Sequence, residues 1–284
     1  MSALRLKTRN APSARIDLGT ITPGALAKLS LGHIERLQLA MGSEKLNIGD
    51  VFTVTGSPGD RIVIEGGNGR LDGVGAGLDG GTLVVEGDVG SYAGLGMKSG
   101  RLEIGGNAGA YLASGMSGGL VLVGGNVDDY LGAARTGEKF GMAGGTVRVG
   151  GTIGARAGDR MRRGTIVAKG AVGPAAGSRM MGGTIWAEGG FGDGPGPLLR
   201  RGTLIGPSAS RLLPTFLDCG RHELNILAIL SRYLKAELGD LAPKPITGPV
   251  RRFTGDMATI GKGELLLLGA SVAQVNIPRQ SRGL

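Results

Sequence analysis

The stretch Thr82-Leu-Val-Val-Glu-Gly-Asp-Val-Gly90 is followed 19 residues later by Arg101-Leu-Glu-Ile-Gly-Gly-Asn-Ala-Gly109. The phrase returns as Thr146-Val-Arg-Val-Gly-Gly-Thr-Ile-Gly154, Thr165-Ile-Val-Ala-Lys-Gly-Ala-Val-Gly173 and Thr184-Ile-Trp-Ala-Glu-Gly-Gly-Phe-Gly192. Each copy is a short apolar strand that runs into a Gly-x-x-Gly-x-x-x-Gly turn. A short fixed period of this kind is typical of a solenoid made of stacked turns.

Two strand positions, two residues apart, are apolar in every turn, which predicts that both face one shared core. These inward columns are Leu83, Leu102, Val121, Val147, Ile166, Ile185 and Leu204, and Val85, Ile104, Val123, Val149, Ala168 and Ala187. The outward column between them is Val84, Glu103, Leu122, Arg148, Val167, Trp186 and Ile205. Because this outward column is mostly apolar, we expect the chain's own terminal segments or a partner to cover part of it.

Residues of the types that carry chemistry are few and scattered. His33 and His222 lie far apart, and no His, Cys or Asp cluster has the spacing of a metal site. The sequence holds neither a nucleophile elbow nor a phosphate-binding loop. A methionine recurs in five turns, but thioethers at one position of stacked turns are typical of core filling. We therefore predict no catalytic residue and no metal site, so that the chain is not an enzyme on its own.

Composition limits the compartment and the partners. The 284 residues include 58 glycines, and the formal net charge is +9. Cys219 is the only cysteine, and the N-terminus has no secretory apolar segment, so we expect a cytoplasmic protein. No apolar run is long enough to span a bilayer, which argues against a membrane partner. Aromatic residues make up 4% and no nucleic-acid motif is present, which argues against nucleic acid.

Two departures from the repeat are candidates for contact with other molecules. The last turns are basic, and their arginines are Arg156, Arg160, Arg162, Arg163, Arg179, Arg200 and Arg201. A solvated face, ion pairs to partner subunits and a patch for a polyanion all fit this pattern. The turn from Leu120 to Gly145 is seven residues longer than its neighbours, with the surplus around 133–140. Insertions in solenoids form loops on one face, often the binding face, although a surface loop without a function fits equally well.

The flanks differ from the repeat, so we divide the chain into an N-terminal cap (1–60), glycine-rich repeats (61–205) and a C-terminal flank (206–284). In the cap, alternation predicts strands at Leu4–Lys7, Arg15–Leu18, Ile34–Leu39 and Val51–Val54, with a short helix at Pro23–Ser30. In the C-terminal flank, helical spacing over Leu212–Leu238 predicts an amphipathic helix that Gly239 ends, and Glu264–Leu268 predicts a strand. The expected fold is mainly β: a single-stranded right-handed parallel β-helix with a β-rich N-terminal cap and a C-terminal amphipathic helix.

The repeat resembles the C-terminal β-helix domain of glutamate synthase. The flanks are more specific. Leu29-Ser-Leu-Gly-His-Ile-Glu-Arg-Leu-Gln-Leu39 and Leu46-Asn-Ile-Gly-Asp-Val-Phe-Thr-Val-Thr-Gly56 are similar to the N-terminal region of the C subunits of formylmethanofuran dehydrogenase and of the bacterial formyltransferase/hydrolase complex. Gly255-Asp-Met-Ala-Thr-Ile-Gly-Lys-Gly-Glu264 fits the same family. The resemblance covers nearly the whole chain.

The resemblance implies a non-catalytic structural subunit of a one-carbon enzyme complex. The implied partners are an amidohydrolase-like subunit and a formyltransferase subunit. The implied reaction moves a formyl group from tetrahydromethanopterin to a methanofuran-like carrier and releases formate. Neither coenzyme is expected to be bound as this chain's own cofactor, although Lys139, Arg160, Arg162 and Arg163 are candidates for contact with the carrier's anionic tail. A molybdenum- or tungsten-containing formylmethanofuran dehydrogenase and a glutamate synthase-like amidotransferase remain the alternatives.

Overall fold

The computed structural model describes residues 3–9 and 12–268, which form a mainly β fold with few helices. The first elements are β1 (Leu4–Thr8), β2 (Ile16–Asp17), α1 (Pro23–Leu26), α2 (Leu31–Glu35), β3 (Gln38–Met41), β4 (Glu44–Asn47), α3 (Ile48–Val51) and β5 (Phe52–Thr55). The repeats give β6 (Arg61–Glu65), β7 (Leu71–Asp72), β8 (Thr82–Val85), β9 (Arg101–Ile104), β10 (Leu120–Val123), β11 (Ala143–Val149), β12 (Arg163–Ala168), β13 (Thr184–Ala187), β14 (Phe191–Asp193) and β15 (Arg201–Gly206). The last elements are β16 (Ala209–Arg211), β17 (Leu217–His222), α4 (Asn225–Leu238), β18 (Val250–Gly255) and β19 (Lys262–Leu267).

One long sheet carries the repeat. Within the described residues it has 13 strands in the order β17-β18-β19-β15-β13-β12-β11-β10-β9-β8-β6-β1-β5. From β1 to β19 across this order, neighbouring strands are parallel and stacked in register, with Leu83 beside Leu102 and Val121 beside Val147. The two flanks supply the outer strands. Strand β1 pairs with β6 at one end of the repeat, and β19 pairs with β15 at the other end. At both ends, the strand that pairs with the first or last repeat strand therefore comes from a flank and not from the repeat.

A second ladder lies along another side of the stacked turns. Single parallel bridges join equivalent residues of successive turns, namely Val89, Ala108, Val127, Ile153, Val172 and Phe191. Between the two ladders lie the inward columns, which are buried together with Met97, Met116, Met142, Met161 and Met180. The predicted core and the predicted packing role of the methionines are therefore confirmed.

Glycine is required where a turn enters its strand. At Gly119 the backbone φ is +90°, and a Cβ atom there would lie 2.6 Å from Met97 Cε and 2.8 Å from the Gly100 carbonyl oxygen. Only glycine allows both this conformation and the close approach of the neighbouring turn. The Met97 side chain fills the space that a Cβ would need.

Helix α4 covers part of the outward column, as the apolar pattern predicts. Leu227, Leu234 and Leu238 are buried on its inner face and pack with Val167, Trp186 and Ile205. The Tyr233 hydroxyl also forms a 2.9 Å hydrogen bond with Thr146 Oγ1 at the start of this face. The helix ends at Leu238, before Gly239 with φ +58°. Farther along the outward column, Val84, Glu103 and Leu122 remain half-exposed.

Two predicted elements need correction. Leu212–Leu224 is not helical: it contains β17, which pairs antiparallel with β18, and only Asn225–Leu238 forms the helix. Ile34 lies in α2 rather than in a strand, because Ser30 caps a helical turn through the His33 backbone amide and β3 begins only at Gln38. Among the described residues, no helix combines the length and apolarity of a membrane span.

Candidate functional site

Three tyrosines form a stacked ladder on one corner of the repeat. The ring centroids of Tyr92 and Tyr111 are 5.5 Å apart, and those of Tyr111 and Tyr130 are 4.9 Å apart, with interplanar angles of 17° and 4°. The spacing matches the separation of neighbouring strands in a sheet, so each turn places its ring directly over the previous one. Within the described part of the chain, the three phenolic hydroxyls have no hydrogen-bond partner.

The backbone holds these rings in an unusual conformation. Tyr92, Tyr111 and Tyr130 have φ values of +64°, +61° and +66°, and Arg156 occupies the same corner one turn later with +58°. The Tyr111 amide donates to the Asp129 carbonyl of the next turn at 3.1 Å, which fixes the corner. Left-handed conformations cost about 1 kcal/mol or more for residues other than glycine, and they concentrate at functional sites. The left-handed backbone recurs at this corner from turn to turn, so the repeat itself requires it, and the stacked tyrosine rings are what set these turns apart.

Arginines continue the corner beyond the tyrosines. Asp159 is 4% exposed and accepts a hydrogen bond from Arg179 Nε at 2.9 Å and a second from Arg179 Nη2. The hydrogen bond to Asp159 raises the pKa of Arg179 above its ordinary range. Arg156 Nη1 lies 3.8 Å from the same carboxylate. We call Tyr92, Tyr111, Tyr130, Arg156 and Arg179 the tyrosine–arginine corner.

The surroundings of Tyr111 favour its neutral phenol. Burial raises the pKa of Tyr111 above its ordinary value, and the neighbouring phenols of Tyr130 and Tyr92 raise it further. Asp159 acts in the same direction, whereas Arg156 lowers the pKa. Protonated phenols and guanidinium groups are hydrogen-bond donors, so the corner is suited to ligands that present carboxylate or carbonyl oxygens.

The inserted loop, residues 133–140, lies over this corner. It bounds a hollow of about 340 Å³ against Tyr92 and Tyr111, and one of about 250 Å³ that extends from Tyr111 to Arg179. Arg135 lines both hollows and donates to Glu138 Oε1 at 3.1 Å. The loop thereby turns an exposed corner into an open groove.

The candidate residues from the sequence lie on both sides of this loop. Lys139 Nζ is 5.2 Å and Arg162 Cζ is 5.1 Å from the centroid of the Phe140 ring, so the structure brings these two cations together. Arg160 faces the groove and donates to the Glu138 carbonyl at 3.0 Å. Arg163 is exposed at the start of β12, away from the groove lining. No group of His, Cys, Asp and Glu among the described residues is placed to hold a metal ion.

The tyrosine ladder is the feature that the sequence analysis missed. Its signal was present, because three of the four tyrosines recur at a spacing of 19 residues. Their stacking became visible only with the corner backbone, since the alternation that assigns strand residues to a face does not extend into the turns between the strands.

Fold and corner together define a class: a capped stack of glycine-rich turns with a half-covered outer face and a basic, aromatic corner. No family model matches the chain. It is 52% identical over 267 residues, 94% of this chain and 99% of the relative, to the C subunit of the formyltransferase/hydrolase complex Fhc of Methylorubrum extorquens. The chain therefore belongs to the family of formyltransferase/hydrolase complex C subunits.

Two further comparisons agree with this membership. A crystal structure of the formyltransferase/hydrolase complex (FhcABCD) from Methylorubrum extorquens, in complex with methylofuran, contains a chain that matches with a TM-score of 0.86 and 41% identity. The match covers 94% of this chain and 100% of that chain. The C subunit of tungsten-containing formylmethanofuran dehydrogenase 2 of Methanothermobacter wolfeii is 33% identical over 99 residues, which are 33% of this chain and 37% of the relative. The relation to the dehydrogenase subunit is thus real but distant.

Proposed function

We propose that this chain is a non-catalytic structural subunit of a formyltransferase/hydrolase complex in the cytoplasm. The observation that carries the proposal is the match over nearly the full length of both chains to the C subunit of such a complex. The complex would move a formyl group from tetrahydromethanopterin to a methanofuran-like carrier and release formate. Its other subunits would include an amidohydrolase-like hydrolase and a formyltransferase. The single free cysteine, Cys219, supports a reducing compartment.

The proposed architecture is a right-handed, single-stranded parallel β-helix. Two parallel ladders, each joining equivalent residues of successive turns, support it, and the general handedness of parallel crossover connections favours the right-handed coil. The division into a cap (1–60), repeats (61–205) and a C-terminal flank (206–284) is part of the same proposal; residues 269–284 of the flank lie outside the described part. A long, rigid stack of this kind suits a scaffold that holds two partners at a fixed separation.

The formyltransferase/hydrolase branch is favoured over the dehydrogenase branch by the extent of the similarity. Identity to the first extends over 94% of the chain, whereas identity to the second is lower and extends over 33%. The C subunit of a molybdenum- or tungsten-containing formylmethanofuran dehydrogenase therefore remains the second candidate.

The structural role is tested by omission. The partner subunits should be expressed with and without this chain, and assembly and formate release should be measured on the purified material. We expect the hydrolase-type and transferase-type subunits to separate without the chain, with a loss of coupled turnover. The chain alone should release no formate. Full assembly and turnover without the chain, or formate release by the chain alone, would contradict the proposal.

The tail of the carrier is the proposed ligand of Lys139, Arg160, Arg162 and Arg163. Lys139 and Arg162 support this because they are exposed cations that share one aromatic ring. Reversal of charge in the double variant Arg162→Glu, Arg163→Glu should raise the apparent KM for the carrier while assembly is retained. An unchanged KM in the assembled complex would argue against the contact.

A further inference from the structure

We propose that the tyrosine–arginine corner is a docking surface for an acidic segment of a partner subunit. The inference rests on the proposed function, because it requires the chain to be part of a hetero-oligomer. It concerns the groove between the tyrosine ladder and the loop 133–140, whose lining does not include Lys139 or Arg162.

The shape of the site favours a protein segment over a small ligand. Pockets for small molecules are concave and mostly apolar, and they enclose most of the ligand surface. Here both hollows are open to solvent, and charged and phenolic side chains supply most of the lining. An extended segment could lie along the groove from Tyr92 to Arg179.

The composition of the site is that of a protein interface. Tyrosine and arginine are enriched among the residues that contribute most to protein–protein affinity. Tyrosines 92, 111 and 130 supply stacked rings with unpartnered hydroxyls, while Arg135 and Arg156 stand beside them. The corner thus concentrates both residue types on one edge of the stack.

The charges indicate an acidic partner. Four arginines line the hollow between Tyr111 and Arg179, against two carboxylates around it. Asp159 is engaged by Arg179, and Glu138 by Arg135. Arg156 has only a 3.8 Å approach to a carboxylate, and Arg160 donates to a backbone carbonyl rather than to a carboxylate. The Arg156 guanidinium therefore keeps free donors, which a partner's carboxylates would satisfy, whereas Arg160 is assigned to the carrier's tail and is not needed for the docking.

The surface is also rigid before any partner arrives. Each tyrosine backbone is fixed by a hydrogen bond to the next turn, and the rings stack on one another. Binding to such a surface loses little conformational entropy. The turn itself does not need tyrosine, because Ala175 takes the same corner position two turns after Tyr130, with φ +56°.

This equivalence provides a variant that should fold. Tyr111→Ala, Tyr130→Ala and Arg156→Ala are combined in the full-length chain, and Arg232→Ala on the exposed side of α4 is the control. Affinity for the purified partner subunits is measured by biolayer interferometry, and folding by the thermal melting of the circular dichroism signal. We expect at least a tenfold loss of affinity in the triple variant and no change in the control, with cooperative melting in both.

A charge test identifies the partner's chemistry. Arg156→Glu should weaken partner binding more than Arg156→Ala, because a partner carboxylate would then be repelled rather than merely unpaired. Equal effects of the two substitutions would overturn the assignment of an acidic segment.

The remaining outcomes separate the two proposals. If wild-type chain binds its partners and the triple variant binds equally well, the docking inference is wrong while the structural role stands. If the triple variant assembles normally but the purified complex retains less carrier, the corner is a coenzyme site and the inference is also overturned. If wild-type chain does not bind the partners at all, the proposed function fails, and the docking inference fails with it.

Discussion

The outward face of the long sheet has two halves with the same strand geometry, but helix α4 packs on only one of them. In the half under α4, Val167, Trp186 and Ile205 are buried. In the other half, Val84 and Glu103 are half-exposed, and Leu122 is half-exposed at the edge of the cluster under the helix. The repeat therefore sets where a side chain points, while the flank decides whether that side chain is in the core. The same column position should accordingly differ in its energetic importance between the halves.

The largest expected difference is between Trp186→Ala and Leu122→Ala. Trp186 is 2% exposed beneath the helix, so its removal should leave a cavity and lower the free energy of unfolding by about 3–5 kcal/mol. Leu122 loses less buried area, and about 1 kcal/mol is expected. Urea unfolding of both variants measures the contrast. Equal losses of stability in the two variants would mean that packing of α4 on Trp186 does not stabilise the protein in solution.

A smaller contrast is expected between two ion pairs on the same face. Arg148 Nη1 lies 2.7 Å from Glu188 Oε1, and the Arg148 side chain is 9% exposed. Glu188→Gln removes the charge partner of a buried guanidinium and should lower stability by about 1–2 kcal/mol. Glu103→Gln, beside Arg101 in the open half, should change stability by about 0–0.5 kcal/mol, because both partners are well solvated. Urea midpoints compare the two variants, and an equal or larger loss for Glu103→Gln would contradict the expected order.

The smallest effect concerns the strand that leads into the covering helix. The hydrogen bond from Arg251 lowers the pKa of Asp218 in β17 below its ordinary value. Because the pKa of Asp218 is lower in the folded state, its ion pair contributes fully to the free energy of unfolding above the unfolded pKa of about 4. That contribution is lost as the pH falls through the folded pKa. Asp218→Asn should therefore flatten the acid side of the stability profile while leaving its slope near neutral pH unchanged. Urea midpoints at a series of pH values test this, and a steeper acid side in the variant would oppose it.

The features that depend on the period alone could be predicted from the sequence. The inward columns and the buried methionines follow from residue spacing, because every turn repeats the same local geometry. The apolar outward column also indicated a cover, and α4 provides one over part of it. Ser30 shows the limit of alternation: its side chain caps a helical turn where apolar spacing suggested a strand.

Long-range pairing could not be predicted in the same way. Nothing in the spacing of the repeat shows that Arg201 of β15 pairs with Lys262 of β19, or that β17 replaces the start of the predicted helix. The tyrosine ladder was missed for a related reason. The corner positions repeat in the sequence, but their left-handed backbone and ring stacking depend on how adjacent turns lie on each other.

The pairing of β15 with β19 has a consequence for synthesis. Rungs from β6 to β15 join neighbours that are mostly 19 residues apart, so the ladder can grow turn by turn as the chain leaves the ribosome. The last rung instead joins partners 61 residues apart, with α4 between them. Until that segment is translated, Trp186 and Ile205 are exposed on a nascent ladder with an open end. Premature termination near residue 206 should therefore yield an aggregation-prone fragment. Folding of the C-terminal flank is the last step, in which α4 and β19 cover the exposed apolar side chains and the open sheet edge.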